Sequence, residues 1–81
     1  MSKMEATVGR IILQGHIDGS FHGWEGNTLF LFTNGQIWQQ SNYAYWYHYA
    51  YRPRAEIFDD GRGYHFRIQD QDRSIRVAKV R

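Results

Sequence analysis

Tyr43, Tyr45, Tyr47, Tyr49 and Tyr51 occupy every second position of one uninterrupted stretch, with Asn42, Ala44, Trp46, His48, Ala50 and Arg52 between and beside them. A period of two belongs to an extended strand, whose successive side chains point to opposite faces; on a helix the same rings would scatter around the axis. All five rings are therefore expected on one face. Eight steps of about 3.3 Å make a row roughly 26 Å long. At about 150 Å² per ring, the row holds on the order of 700 Å² of aromatic surface, above the roughly 300 to 600 Å² of the largest patch on a typical monomer. Such a row needs a cover: the protein's own core, a second copy, or a ligand.

The charge pattern sharpens that requirement. No Asp, Glu, Lys or Arg occurs between Gly26 and Tyr51, and eleven of the fourteen aromatic residues lie between Phe21 and Tyr51. A solvated surface normally carries charge, so this stretch is expected to be mostly buried, in the fold or against a partner. The ionic residues sit elsewhere. Residues 1–51 carry Lys3 and Arg10 against Glu5, Asp18 and Glu25; residues 52–81 carry eight basic and five acidic residues, a net of +3. With no cysteine in the chain, disulfide frameworks, thiolate zinc sites and cysteine nucleophiles are excluded. No apolar run approaches the eighteen or so residues of a membrane-spanning helix, and Met1 to Arg10 lacks the apolar centre of a signal peptide. The expectation is a cytoplasmic protein with no membrane partner.

At 81 residues the chain has room for one domain, with residues 1–5 read as a frayed terminus. Alternation and glycine-containing turns recur from Thr7 onward, so the fold class is all-β. Ala6, Val8, Ile11, Leu13 and Ile17 outline a first long strand, with Gly9 and Gly15 as places to bend or bulge. Asp18 to Asn27, with three glycines, reads as a loop whose Phe21 and Trp24 form a hydrophobic lid. Thr28–Thr33 and Gln36–Gln40 flank Asn34-Gly35, a dipeptide suited to a two-residue type I′ hairpin. That register pairs Phe32 with Ile37, Leu31 with Trp38 and Phe30 with Gln39. It places Leu29 to Phe32 on a strand covered on both faces, near the middle of the structure. Asn42 to Arg52 follows and ends at Pro53; 56–58 and 64–68 form a hairpin with Tyr64, Phe66 and Ile68 on its core face; 75–80 closes the domain. Five to six strands in a strongly bent antiparallel sheet or partly open barrel satisfy this pattern.

Three functions are compatible with these residues. The leading one is a non-enzymatic protein that self-associates, because tyrosine buries a large area with few rotatable bonds and keeps a polar tip; Tyr43, Tyr45, Trp46, Tyr47, His48, Tyr49 and Tyr51 would form the interface or a ligand platform. The second is single-stranded nucleic-acid binding, the rings stacking on bases while Arg52, Arg54 and Arg67 contact phosphates. It requires those arginines and the tyrosines to open on one surface. The third is small-molecule binding or catalysis in the glycine-rich loop, with His22 and Glu25 as acid and base beside Trp24. His16, Asp18, His22 and Glu25 match no metal-ligand spacing, and neither a metal nor another cofactor is expected. Arg62-Gly63-Tyr64-His65-Phe66 looks superficially like the aromatic strand of an RNA-recognition motif, but Tyr64 and Phe66 share their face with Ile68 and are assigned to the core.

Ile17-Asp18-Gly19, Gly23-Trp24-Glu25-Gly26, the Asn-Gly-Gln-x-Trp segment within Leu31 to Gln39, and the tyrosine ladder ending in Tyr-Arg-Pro together resemble a family of small uncharacterised bacterial proteins. The resemblance covers about Ile17 to Phe58. It implies an accessory or mobile-gene-cassette protein and supplies no catalytic residue.

Overall fold

The computed structural model describes residues 9–81; the expectations for 1–5, Ala6 and Val8 lie outside the described residues. The fold is all-β, with eight strands: β1 Arg10–His16, β2 Ser20–Trp24, β3 Leu29–Leu31, β4 Ile37–Gln40, β5 Trp46–Tyr51, β6 Arg54–Asp59, β7 Tyr64–Ile68 and β8 Ser74–Lys79. Six of them form an antiparallel sheet in the order β1-β6-β7-β8-β4-β3, and β2 pairs with β5 in a second, two-stranded sheet. The expected count of five to six is thus too low: the segments read as strands themselves number seven, and an eighth, β2, lies where the sequence is rich in glycine.

β2 is the strand that local alternation conceals. It runs through the expected loop, and Phe21 and Trp24 are core residues with 4% and 3% of their surface exposed, not a lid. Two residues three apart reach the same core because Gly23, at φ 94°, changes the alternation between them. A Cβ at Gly23 would strike the Trp46 carbonyl oxygen, so the position excludes every other residue. β3, within the expected 28–33 strand, is an edge strand whose only ladder partner is β4, with Leu29 and Leu31 exposed and Phe30 buried. It is covered on one face and not on both.

The Asn34-Gly35 hairpin forms, but one residue out of the expected register. Phe30 pairs with Trp38 and Leu31 with Ile37, and Phe32 N–H donates to the Gln36 carbonyl at 2.9 Å. The loop is therefore Thr33-Asn34-Gly35, with Gly35 alone at positive φ, and the Asn34 carboxamide oxygen accepts from Gln36 N–H at 2.9 Å. The decisive force is the core: this register puts Phe30, Phe32 and Trp38 on one buried face, whereas the two-residue turn would have set Trp38 opposite Leu31.

β1 runs into β2, and β5 into β6, while β1 pairs with β6 and β2 with β5. The four strands are one long ribbon, folded over at Ile17–Gly19 and Arg52–Pro53. At the fold Ile17 N–H donates to the Pro53 carbonyl at 2.9 Å and Arg52 N–H to the Gly19 carbonyl at 2.8 Å. Arg52 itself takes φ 49° and Gly19 φ 89°, the left-handed backbone a sharp corner demands. β1 carries a bulge between Ile11 and Leu13. The ribbon's short arm, β2 and β5, covers the inner face of the large sheet, where Phe66 meets Phe21 at 5.9 Å and Trp24 at 6.3 Å between ring centroids.

The large sheet is strongly bent. Phe30 on β3 stacks on Phe66 of β7 at 4.1 Å and 15°, although β8 and β4 lie between those strands; in a flat sheet the separation would be roughly 14 Å. Its two ends meet at one isolated bridge, Ile17 to Phe32, without closing into a barrel. Of the three residues assigned to the core face of the 64–68 strand, Phe66 and Ile68 are buried, but Tyr64, at the strand end where cover runs out, is exposed and packs only edge-on against Trp38 at 5.3 Å.

Two outcomes follow. Phe66→Ala removes the shared wall of four aromatic neighbours and lowers the unfolding free energy in urea by about 3–5 kcal/mol, whereas Leu29→Ala changes it by less than about 1 kcal/mol. In the β6–β7 turn, Asp60 accepts from Arg62 N–H at 2.8 Å, bonds His65 at 2.7 Å and accepts from Gly63 N–H at 2.9 Å. These contacts, the Arg62 amide first, hold its carboxyl down from 3.8 to about 2. A depressed pKa stabilises the fold above the unfolded value and loses that contribution as pH falls through the folded one. The urea midpoint therefore drops between about pH 4 and pH 2, and Asp60→Asn makes that drop smaller.

Candidate functional site

The tyrosine row reaches the surface intact. Tyr47, Tyr49 and Tyr51 project from β5, while Trp46, His48 and Ala50 on its other face are half-buried. β5 is shorter than the expected 42–52 element, so Tyr43 and Tyr45 precede the strand; they too are exposed. Exposure of the five runs from 52% for Tyr49 to 79% for Tyr43. No ring of the row enters the core, whose aromatic positions are filled by Phe21, Trp24, Phe30, Phe32, Trp38 and Phe66.

Two devices hold the row in place. Trp46 packs against Trp24 at 4.7 Å and stacks on His48 at 5.0 Å and 4°, with the Arg73 guanidinium 5.8 Å from its ring. The approach to β5 is fixed by Gln40, 4% exposed, whose carboxamide donates to the Asn42 and Ala44 carbonyls at 3.0 and 3.1 Å and accepts from Thr28 N–H at 3.3 Å. A buried amide with its hydrogen bonds made is a strong positional constraint.

Thr28 also frames a groove. β2 and β3 follow one another in the chain, yet no ladder joins them: β2 bonds β5 and β3 bonds β4. They are tied only at their ends. At one, Asp18 N–H donates to the Leu31 carbonyl at 2.8 Å and Thr33 N–H to the His16 carbonyl at 2.9 Å; at the other, Glu25 N–H donates to the Thr28 hydroxyl at 3.0 Å. Between the ties lies a groove of about 410 Å³, lined among others by Asp18, His22, Glu25, Leu29, Leu31, Tyr45 and Tyr47. That volume falls within the range of small-molecule sites.

His22 and Glu25 thus border one concavity, as the third reading requires, with Trp24 in its wall rather than over it as a lid. His22 faces Tyr49 at 5.3 Å between rings. No hydrogen bond joins His22 to Glu25 among the described residues, and no group of three or more His, Asp or Glu side chains is placed to hold a metal ion among them. Leu29 and Leu31 were missed as groove residues because their apolar character alone reads as core; their alternation with Phe30 and Phe32 is the signal that one face of this strand differs from the other.

The arginines are dispersed. Arg67 lies on the large sheet, where its Nε donates to Glu56 Oε2 at 2.8 Å and its Nη2 bonds the same oxygen, and its guanidinium covers the Phe58 ring at 5.0 Å. Arg52 lies 3.8 Å from Asp18. Arg54 is exposed at the start of β6. Among the described residues no Lys or Arg lines the groove.

Comparison of the chain with protein-family models, curated proteins and solved structures gives no match.

Gln40→Leu leaves the Asn42 and Ala44 carbonyls without their donor. It costs about 1–3 kcal/mol in urea unfolding, and amide hydrogen exchange at residues 43–46 accelerates more than in β7.

Proposed function

We propose that this protein is non-enzymatic and self-associates, the tyrosine face of one copy against that of another. One observation carries the reading: five tyrosines at alternate positions are all exposed, within a stretch that contains no charged residue from Gly26 to Tyr51. About 700 Å² of ring surface approaches the roughly 800 Å² that each partner contributes to a standard interface, and tyrosine is enriched at such contacts. Twelve other apolar residues fill the core, so packing in this domain gives no reason for the row. The free edge of β5 supports the same reading. Among the described residues only β2 bonds it, and it carries none of the lysines or prolines that commonly keep an edge strand solitary.

The nucleic-acid alternative needs Arg67 beside the rings, and Arg67 is engaged by Glu56 on the other sheet; this favours self-association.

Light scattering at tens of micromolar tests the proposal. A dimer or larger assembly is expected, and a clean monomer overturns it. Tyr47→Glu, at the centre of the row, dissociates the assembly while leaving far-ultraviolet circular dichroism and the thermal transition of the domain in place. Loss of the fold instead would assign this ring a structural role.

A further inference from the structure

We propose that the groove between β2 and β3 binds a small organic cation, an ammonium group carried on a compact apolar body. The sign of its lining is the first argument. Only three acidic residues occur in residues 1–51 of a chain whose net charge is +2, and two of them, Asp18 and Glu25, line this groove without any Lys or Arg among the described residues. They flank β2, one at each tie, so an elongated ligand meets negative charge at either end. Asp18 already has a cation near it, the Arg52 guanidinium at 3.8 Å. Glu25 makes no ion pair among the described residues, and the ligand's ammonium group is assigned to it.

The walls supply the second argument. Leu29 and Leu31 expose 51% and 42% of their surface, and Tyr45 and Tyr47 border the same space. Aliphatic surface opposite aromatic faces accommodates a flat apolar body, and the negative face of a tyrosine ring attracts a cation directly. An anion would meet the Glu25 carboxylate with no Lys or Arg beside it among the described residues. The third argument is rigidity. Phe21 and Trp24 anchor β2, Phe30 anchors β3, and hydrogen bonds close both ends, so little ordering opposes binding.

Titration with benzyltrimethylammonium, followed by backbone amide shifts in two-dimensional NMR, tests the inference on the protein in its native assembly. Saturable shifts are expected in residues 18–31, Tyr45 and Tyr47, with benzenesulfonate producing none that saturate there. Glu25→Gln weakens the cation about tenfold, the equivalent of about 1.4 kcal/mol. Leu31→Lys, which sets a positive charge in the exposed wall, abolishes binding while leaving the core resonances unchanged. Absence of saturation, equal response to cation and anion, or an unaltered affinity in Glu25→Gln overturns the proposal. Light scattering on the same samples keeps the two readings apart: an intact assembly that ignores the cation removes this site alone, and a monomer that binds it removes only self-association.

Discussion

Phe66 has no exposed surface, and the rings of Phe21, Trp24, Phe30 and Phe32 all lie within 6.3 Å of it. Those neighbours come from β2, β3 and the turn after β3, whereas Phe66 belongs to β7 near the centre of the large sheet. Bringing them together requires the large sheet to bend and the two-stranded arm to fold across it. Without the corner at Gly19 and Arg52 the arm would extend the ribbon into solvent and leave Phe66 half covered. In a small domain without disulfides, this aromatic cluster is the main source of buried apolar area.

Burying that cluster has a geometric consequence for the surface. Once Trp24 and Trp46 face inward, alternation sends Tyr47, Tyr49 and Tyr51 outward. The exposed row is therefore produced by the same strand that completes the core cover. Gly23 does the corresponding work on β2, letting Phe21 and Trp24 both turn inward across a shifted register. The groove arises because β2 follows its arm to pair with β5 while β3 stays with β4, and two consecutive strands part company between fixed ends. The tyrosine face and the groove, sharing Tyr45 and Tyr47, are thus two results of one fold in the ribbon.

The all-β class, the two hairpins, the break at Pro53 and the burial of Phe66 and Ile68 were legible in the sequence because each rests on local alternation or on a turn residue with a specific backbone preference. The outward alternation of Tyr47, Tyr49 and Tyr51 was legible for the same reason. Local patterns do not report which of several apolar faces is buried. Leu29 and Leu31 look as fit for a core as Phe30, and Phe21 and Trp24 in a glycine-rich segment look like loop residues, until the rest of the chain competes for the same interior.

What the sequence by itself determined is the period-two order of the tyrosines, the absence of charge across Gly26 to Tyr51 and the concentration of basic residues after it. Covalent order and side-chain chemistry suffice for these. The tertiary structure decided the one-residue shift of the 28–40 hairpin, the exposure of the whole tyrosine row and the engagement of Arg67 by Glu56. Each depends on which residues meet across large sequence separations, and the deciding quantity, the aromatic surface hidden around Phe66, is a property of the assembled core and of no single segment.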